Sequence, residues 1–127
     1  HRRRPEAMKP GNIALAQIQQ ADGRLKTRPV LILCQTPPFS DPLVCALSSR
    51  LHHTCDGFDE IINDSDDDYH DSGLKVPSLI RLGMIATIPA SAMLGSLGNI
   101  SPDRLNRLRS RLSNHIRPAT ERVSNDK

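Results

Sequence analysis

The chain has 127 residues, 37% of them hydrophobic, with 17 basic and 14 acidic residues and a formal net charge of +3. That is enough for one domain with a modest core, but too small a charge excess to argue for a polyanionic partner by itself. Phe39, Phe58 and Tyr69 are the only aromatic residues besides histidine, which counts against a stacking platform for single strands and leaves Leu, Ile, Val and Ala to build the core.

Residues 1–7, His-Arg-Arg-Arg-Pro-Glu-Ala, read as vector-derived sequence ahead of a native start at Met8. Setting them aside removes three arginines and one glutamate and brings the charge to +1. Residues 8–118 read as a single domain and 119–127 as a polar tail. Charge distribution says more than the sum. Residues 56–71 hold eight acids and no Lys or Arg, whereas residues 100–127 hold seven bases against three acids. The three cysteines, Cys34, Cys45 and Cys55, have no framework spacing and are expected to be free thiols in a reducing cytosol. No apolar stretch approaches the roughly 18 residues of a membrane span and no signal peptide is visible. A cytoplasmic location with no membrane partner is the expectation.

Along the chain, Asn12–Ile18 alternates as a half-buried strand, and Ala21-Asp22-Gly23 marks a turn. Residues 24–27 read as a polar, basic loop. Pro29–Leu33 is apolar without alternation, so it belongs in the middle of a sheet, with proline at the position a strand tolerates. The segment 37–42 is a proline-rich loop and Leu43–Leu47 the next strand. Phe58–Ile62 reads as a short strand, residues 63–73 as an acidic solvated loop, and 79–82 and 84–88 as two strand pieces broken at Gly83. Ser101-Pro102-Asp103 is a helix start, with a hydroxyl N-cap, proline in the first turn and an acid beside it. Leu105, Leu108, Leu112 and Ile116 then form one apolar stripe, and Pro118 stops the helix. Arg104, Arg107, Arg109 and Arg111 on this helix read as a solvated face. Several strands followed by one amphipathic helix imply a small, curled, mostly antiparallel sheet capped by that helix.

Two segments carry chemistry. Arg28 leads into the first central run, and Ser48 and Ser49 end the second. If the runs pair as antiparallel neighbours, the guanidinium and the hydroxyls meet at one edge of the sheet. An arginine fork beside a hydroxyl suits a phosphate.

The residues also resemble the MazF/PemK family of toxin endoribonucleases from bacterial toxin–antitoxin pairs, from about Lys9 to Ile116. The landmarks run in order: Gly11-Asn12-Ile13, Arg28-Pro29-Val30-Leu31-Ile32, Ala46-Leu47-Ser48-Ser49, Gly73-Leu74-Lys75-Val76-Pro77-Ser78-Leu79-Ile80-Arg81, and Leu97-Gly98-Asn99-Ile100-Ser101 before the Leu-rich helix. Asn12 stands where the family usually has Asp, Ser48 where many members have Thr, and Gly83 where some carry an Asp. The first loop lacks the family's common Pro-Phe pair.

The resemblance implies an α+β, mainly β fold: a compact SH3-like barrel of antiparallel strands with a C-terminal α-helix, usually a homodimer. It implies metal-independent, sequence-preferring cleavage of single-stranded RNA with no cofactor, blocked by a cognate antitoxin. Attack by the 2′-OH would leave 2′,3′-cyclic phosphate and 5′-OH ends. Arg28 would stabilise phosphoryl charge, and Ser48 would donate a hydrogen bond to the scissile phosphate or 2′-oxygen. Ser49 and Arg50 would border the groove, Arg81 would contact phosphate or base, and Arg24 and Lys26 would grip the RNA backbone. Two alternatives share the fold: a non-catalytic toxin that binds DNA gyrase, and a degenerate member that binds RNA or protein without cutting.

No metal is expected. The run Asp64–Asp68 fails as a calcium loop, with Tyr69 at its sixth position and Lys75 at its twelfth. His52, His53 and Cys55 lack the spacing and fourth partner of a closed zinc site.

Overall fold

The computed structural model describes residues 8–121; the segment 1–7 and residues 122–127 of the expected tail lie outside the described residues. Among the described residues six strands and two α-helices follow one another: β1 Asn12–Gln19, β2 Leu25–Thr36, β3 Asp41–Ser48, β4 Glu60–Ile62, α1 Tyr69–Ser72, β5 Ser78–Thr87, β6 Met93–Asn99 and α2 Pro102–Ile116. The strands form one antiparallel sheet in the order β4-β5-β3-β2-β1-β6. The fold is mainly β with a C-terminal helix, as expected, but the sheet is not closed into the expected barrel. β4 and β6 form its two edges, each paired to a strand on one side only. β4 is only three residues long, and α1 occupies the flank of β6. The approach there is backbone to backbone: a Cβ on Gly98 would strike the Asp71 carbonyl oxygen, and one on Gly73 would strike that of Leu97. Gly73 also holds φ +73°, which favours glycine.

β2 lies near the middle of the sheet and is buried on both faces, which is why its sequence does not alternate. Leu31 and Leu33 join Cys45, Leu47, Ile80 and Leu108 in the core beneath α2, whereas Val30 and Ile32 join Ala14, Ala16, Val44 and Met93 on the opposite face. On α2 the stripe works as read at Leu108, which is fully buried; burying a leucine in this way stabilises by about 1.5–3 kcal/mol. The stripe ends in Ile116, 68% exposed, where the helix runs past the sheet. Ser101 caps α2, its hydroxyl accepting the Arg104 N–H at 3.1 Å.

Several expectations are corrected. Residues 25–27 are strand, because their register with β1 continues through Gln19↔Leu25 beyond the core. Residues 78–87 are one strand, not two: Arg81 pairs Ala46 and Ile85 pairs Cys45, so Leu82, Gly83 and Met84 form a bulge. The Leu82 N–H freed there donates to Asp59 Oδ1 at 2.9 Å. Within the expected acidic loop residues 69–72 form α1, and residues 93–99, taken only as part of a motif, form β6. Asn12, at 3% exposure, ties β1 to β6: its Nδ2 donates to Ser96 Oγ at 2.6 Å and to the Gly98 carbonyl at 2.8 Å. An ionised aspartate there would have no proton to donate.

The acidic stretch is not simply solvated, and neither is the arginine face. Arg104 is 7% exposed. Its Nε and Nη2 hold the Asp68 carboxylate at 2.8 and 3.0 Å, its Nη2 reaches Asp66 at 3.0 Å and its Nη1 Glu60 at 2.8 Å. Arg107 and Arg111 close on Glu60 at 2.9 and 3.0 Å. Burial opposes ionisation of Glu60, yet Arg107, Arg111 and Arg104 together hold its carboxyl below the ordinary value. Hydrogen bonding from Arg104 brings Asp68 down from 3.8 to about 2.

Two outcomes follow. Gly98→Ala should cost about 1–3 kcal/mol, because backbone rather than a flexible side chain must yield; urea unfolding of the two proteins measures it. The depressed Asp68 carboxyl contributes stability that is present above pH 3.8 and lost as the pH falls through about 2, worth about 2 kcal/mol. Urea midpoints between pH 2 and 5 should fall with acid in the native protein and fall less steeply in Asp68→Asn.

Candidate functional site

Strand register decides what meets Arg28. β2 and β3 run antiparallel with Val30 opposite Ala46, and the same register carried two residues further sets Arg28 opposite Ser48. Directly opposed residues hold their Cβ atoms about 4.5–5.5 Å apart. On the other side of β3, Ala46 pairs Arg81 and Ser48 pairs Leu79. Side chains alternate along strands, so the core residues tell which face each candidate occupies. Leu31, Cys45, Leu47, Ile80 and Leu82 point into the core beneath α2. Arg28, Ser48 and Arg81 therefore project from the opposite face, at the end of the sheet where β3 stops. Lys26, two residues before Arg28, shares that face.

Arg28 is exposed and its side chain makes no hydrogen bond or ion pair among the described residues, so its fork is available to a ligand. Ser48 is half-buried. Its Oγ accepts the Arg50 N–H at 3.0 Å, which positions the hydroxyl at the strand end and leaves its proton for a second partner. Arg81 is half-buried and forms no ion pair with the acids of 56–71 among the described residues, of which Glu60, Asp66 and Asp68 are paired with Arg104. Arg50 is exposed just past the strand end.

Other expected members stand further from this cluster. Arg24 sits in the β1–β2 turn, where its Nε pairs with Asp22 at 3.1 Å in solvent. Ser49 contributes its backbone oxygen, which accepts the Leu51 N–H at 3.1 Å. Among the described residues no group of three or more His, Cys, Asp or Glu is arranged to hold a metal ion. Cys45 is buried, and desolvation pushes its thiol up to about 12, so it is inert as a nucleophile.

Sequence reasoning weighed His52 and His53 only as metal ligands. They form a 3-10 turn, Leu51–His53, immediately beyond Arg50, with ring centroids 4.3 Å apart. Partial desolvation, then the charges of His52, Arg81 and Arg50, hold the His53 imidazole below 6.5. His53 follows Ser48 by five residues.

The fold agrees with comparisons to known proteins. Residues 9–116 match the family model of the PemK-like, MazF-like toxins of type II toxin–antitoxin systems. Among solved structures the chain is similar to the Mycobacterium tuberculosis toxin MazF-mt6, with a TM-score of 0.58 and 22% identity over 81% of this chain and 93% of that one. No curated protein sequence matches. No helix is long and apolar enough to cross a membrane among the described residues. With the family match spanning most of its length, the chain belongs to the PemK-like, MazF-like toxins of type II toxin–antitoxin systems.

Proposed function

We propose that this toxin is a metal-independent endoribonuclease that cuts single-stranded RNA at preferred sequences. The observation that carries this reading is the unpartnered Arg28 fork set across from the Ser48 hydroxyl by the β2–β3 register. In the reaction the 2′-oxygen attacks the adjacent phosphorus, the bond to the 5′-oxygen breaks, and the products are a 2′,3′-cyclic phosphate and a 5′-OH end. Arg28 binds two non-bridging oxygens and stabilises the charge that builds on them, an electrostatic role worth several kcal/mol in comparable sites. Ser48 donates its free proton to the phosphate or to the 2′-oxygen. Lys26 and Arg81, on the same face, hold the flanking phosphates, with Arg50 and Ser49 at the rim and Arg24 at the far turn. The protein works as a cytoplasmic homodimer, and its cognate antitoxin silences it by covering this cationic face.

Incubation of purified, antitoxin-free protein with a long single-stranded RNA in EDTA should yield discrete fragments with 5′-OH ends. Arg28→Ala should slow cutting by about 10²–10³-fold, in line with loss of a preorganised donor, and Ser48→Ala by less. Because the Arg28 side chain is exposed and unpartnered, its removal should leave the unfolding free energy from urea denaturation unchanged within about 0.5 kcal/mol. Intact RNA from folded native protein, or full activity in Arg28→Ala, would contradict the reading.

A further inference from the structure

In an Asp-Gly pair the main chain can attack the aspartate side chain, because glycine has no Cβ to shield its amide nitrogen. The sequence holds two such pairs, Asp22-Gly23 and Asp56-Gly57, and both are exposed. Steric room does not separate them: nothing lies within 4 Å of where a Cβ would stand on either glycine. Hydrogen bonding does. In the β1–β2 turn the reacting atoms are held. The Gly23 N–H donates to the Gln20 oxygen at 2.9 Å, and the Asp22 carboxylate oxygens accept the Arg24 N–H at 3.0 Å and the Arg24 Nε–H at 3.1 Å. At Asp56-Gly57 both reacting groups are uncommitted: among the described residues the Gly57 N–H and the Asp56 carboxylate have no hydrogen bond or ion pair. The turn is closed by its neighbours instead. The Phe58 and Asp59 N–H groups donate to the Cys55 oxygen at 3.1 and 2.9 Å, and the Cys55 N–H donates to Asp59 Oδ2 at 3.0 Å. The Asp56–Gly57 link takes no part in these bonds. Gly57 borders an open cleft of about 520 Å³ with Asn106, Arg107, Ser110 and Arg111, so water reaches it.

We infer that Asp56 is a site of spontaneous covalent modification, isomerising to isoaspartate while the fold protects Asp22. This goes beyond the ribonuclease reading and does not depend on it. The Gly57 amide nitrogen gives up its proton to solvent and bonds to Cγ of the protonated Asp56 carboxyl, whose hydroxyl leaves as water. The product is a cyclic imide. Water then adds at the ring carbonyl that came from the main chain, the bond from that carbon to the Gly57 nitrogen breaks, and the nitrogen takes a proton. The chain now runs through Cγ, and the former main-chain carboxyl has become the side chain. Mass is unchanged, and the water released in the first step is consumed in the second. The main chain has gained a methylene inside the turn that positions Asp59. Asp59 Oδ1 accepts the Leu82 N–H at the β5 bulge at 2.9 Å, next to Arg81. The longer turn draws Asp59 away from that N–H, so the modification loosens the bulge.

The test ages native protein, Asp56→Glu and native protein held in urea at neutral pH. Digests are mapped for isoaspartate by enzymatic methylation with S-adenosylmethionine and by peptides whose retention changes while their mass does not. In the folded protein Asp56 should isomerise about fivefold faster than Asp22 or more, the advantage that one hydrogen bond of typical net strength confers. In urea the two rates should converge, since no native bond then protects either pair. Asp56→Glu should remove the fast site, because its longer side chain must close a larger ring, and leave the rate at Asp22 unchanged. The isolated isoaspartyl form should exchange its Leu82 amide proton faster than fresh protein. Asp22 level with Asp56 or ahead of it in the folded protein, or another aspartate ahead of both, overturns the assignment. So does a folded protein whose Asp56 stays intact over the time that modifies it in urea. Unchanged Leu82 exchange in the isoaspartyl form overturns the loosening of the bulge. Should Asp56→Glu fail to fold, the map of the native protein decides, since it reads each site separately.

Discussion

The fold turns on one guanidinium. Arg104 enters the structure at the first turn of α2 and meets Glu60, Asp66 and Asp68 at once, with Asp68 gripped by two nitrogens. Neither side of this arrangement is tolerable alone. A cation at 7% exposure without partners would bear a large desolvation penalty, and three carboxylates converging without it would repel one another. Each therefore requires the other, and the pairing fixes α2 against β4 and the start of α1. Only with α2 held there does one face of the sheet become a covered core and the other remain open.

That division of faces also sorts the charge. On the α2 side Glu60, Asp66 and Asp68 form a shared network with Arg104, Arg107 and Arg111. On the other side Lys26, Arg28 and Arg81 stand with no acid paired to them among the described residues. A chain whose net charge is nearly zero without its first seven residues can thus present a local cationic field. The sign of the sum was uninformative because it does not say on which face the acids and bases stand.

Much of this was legible in the chain. The double-sided burial of β2, the cap of α2 and the antiparallel pairing of β2 with β3 all follow from local pattern. What escaped reading has physical causes. β6, with two glycines and few buried side chains, carries no period-2 signal, since its place is set by hydrogen bonds to β1 and by the Asn12 amide. Residues 25–27 look like loop because they are polar and exposed; pairing, not burial, makes them strand. Gly83 looks like an end and is a bulge, because Asp59 supplies the acceptor that the ladder withholds. The acid cluster pairs across 36 to 44 positions of sequence, a separation at which no spacing rule applies. Asn12 reads as a departure from a family pattern, and the structure shows what its extra proton-donating group does here.

An open sheet has two exposed margins, and such margins invite edge-to-edge pairing with other molecules. At one of them β4 offers only three residues to such a strand, and its first, Glu60, is held by arginines of α2. Over the face of β6 to which a Gly98 side chain would point lies α1 instead. The two glycines thus set how closely a four-residue helix can seal that face, and an added methyl group at either position would push it away.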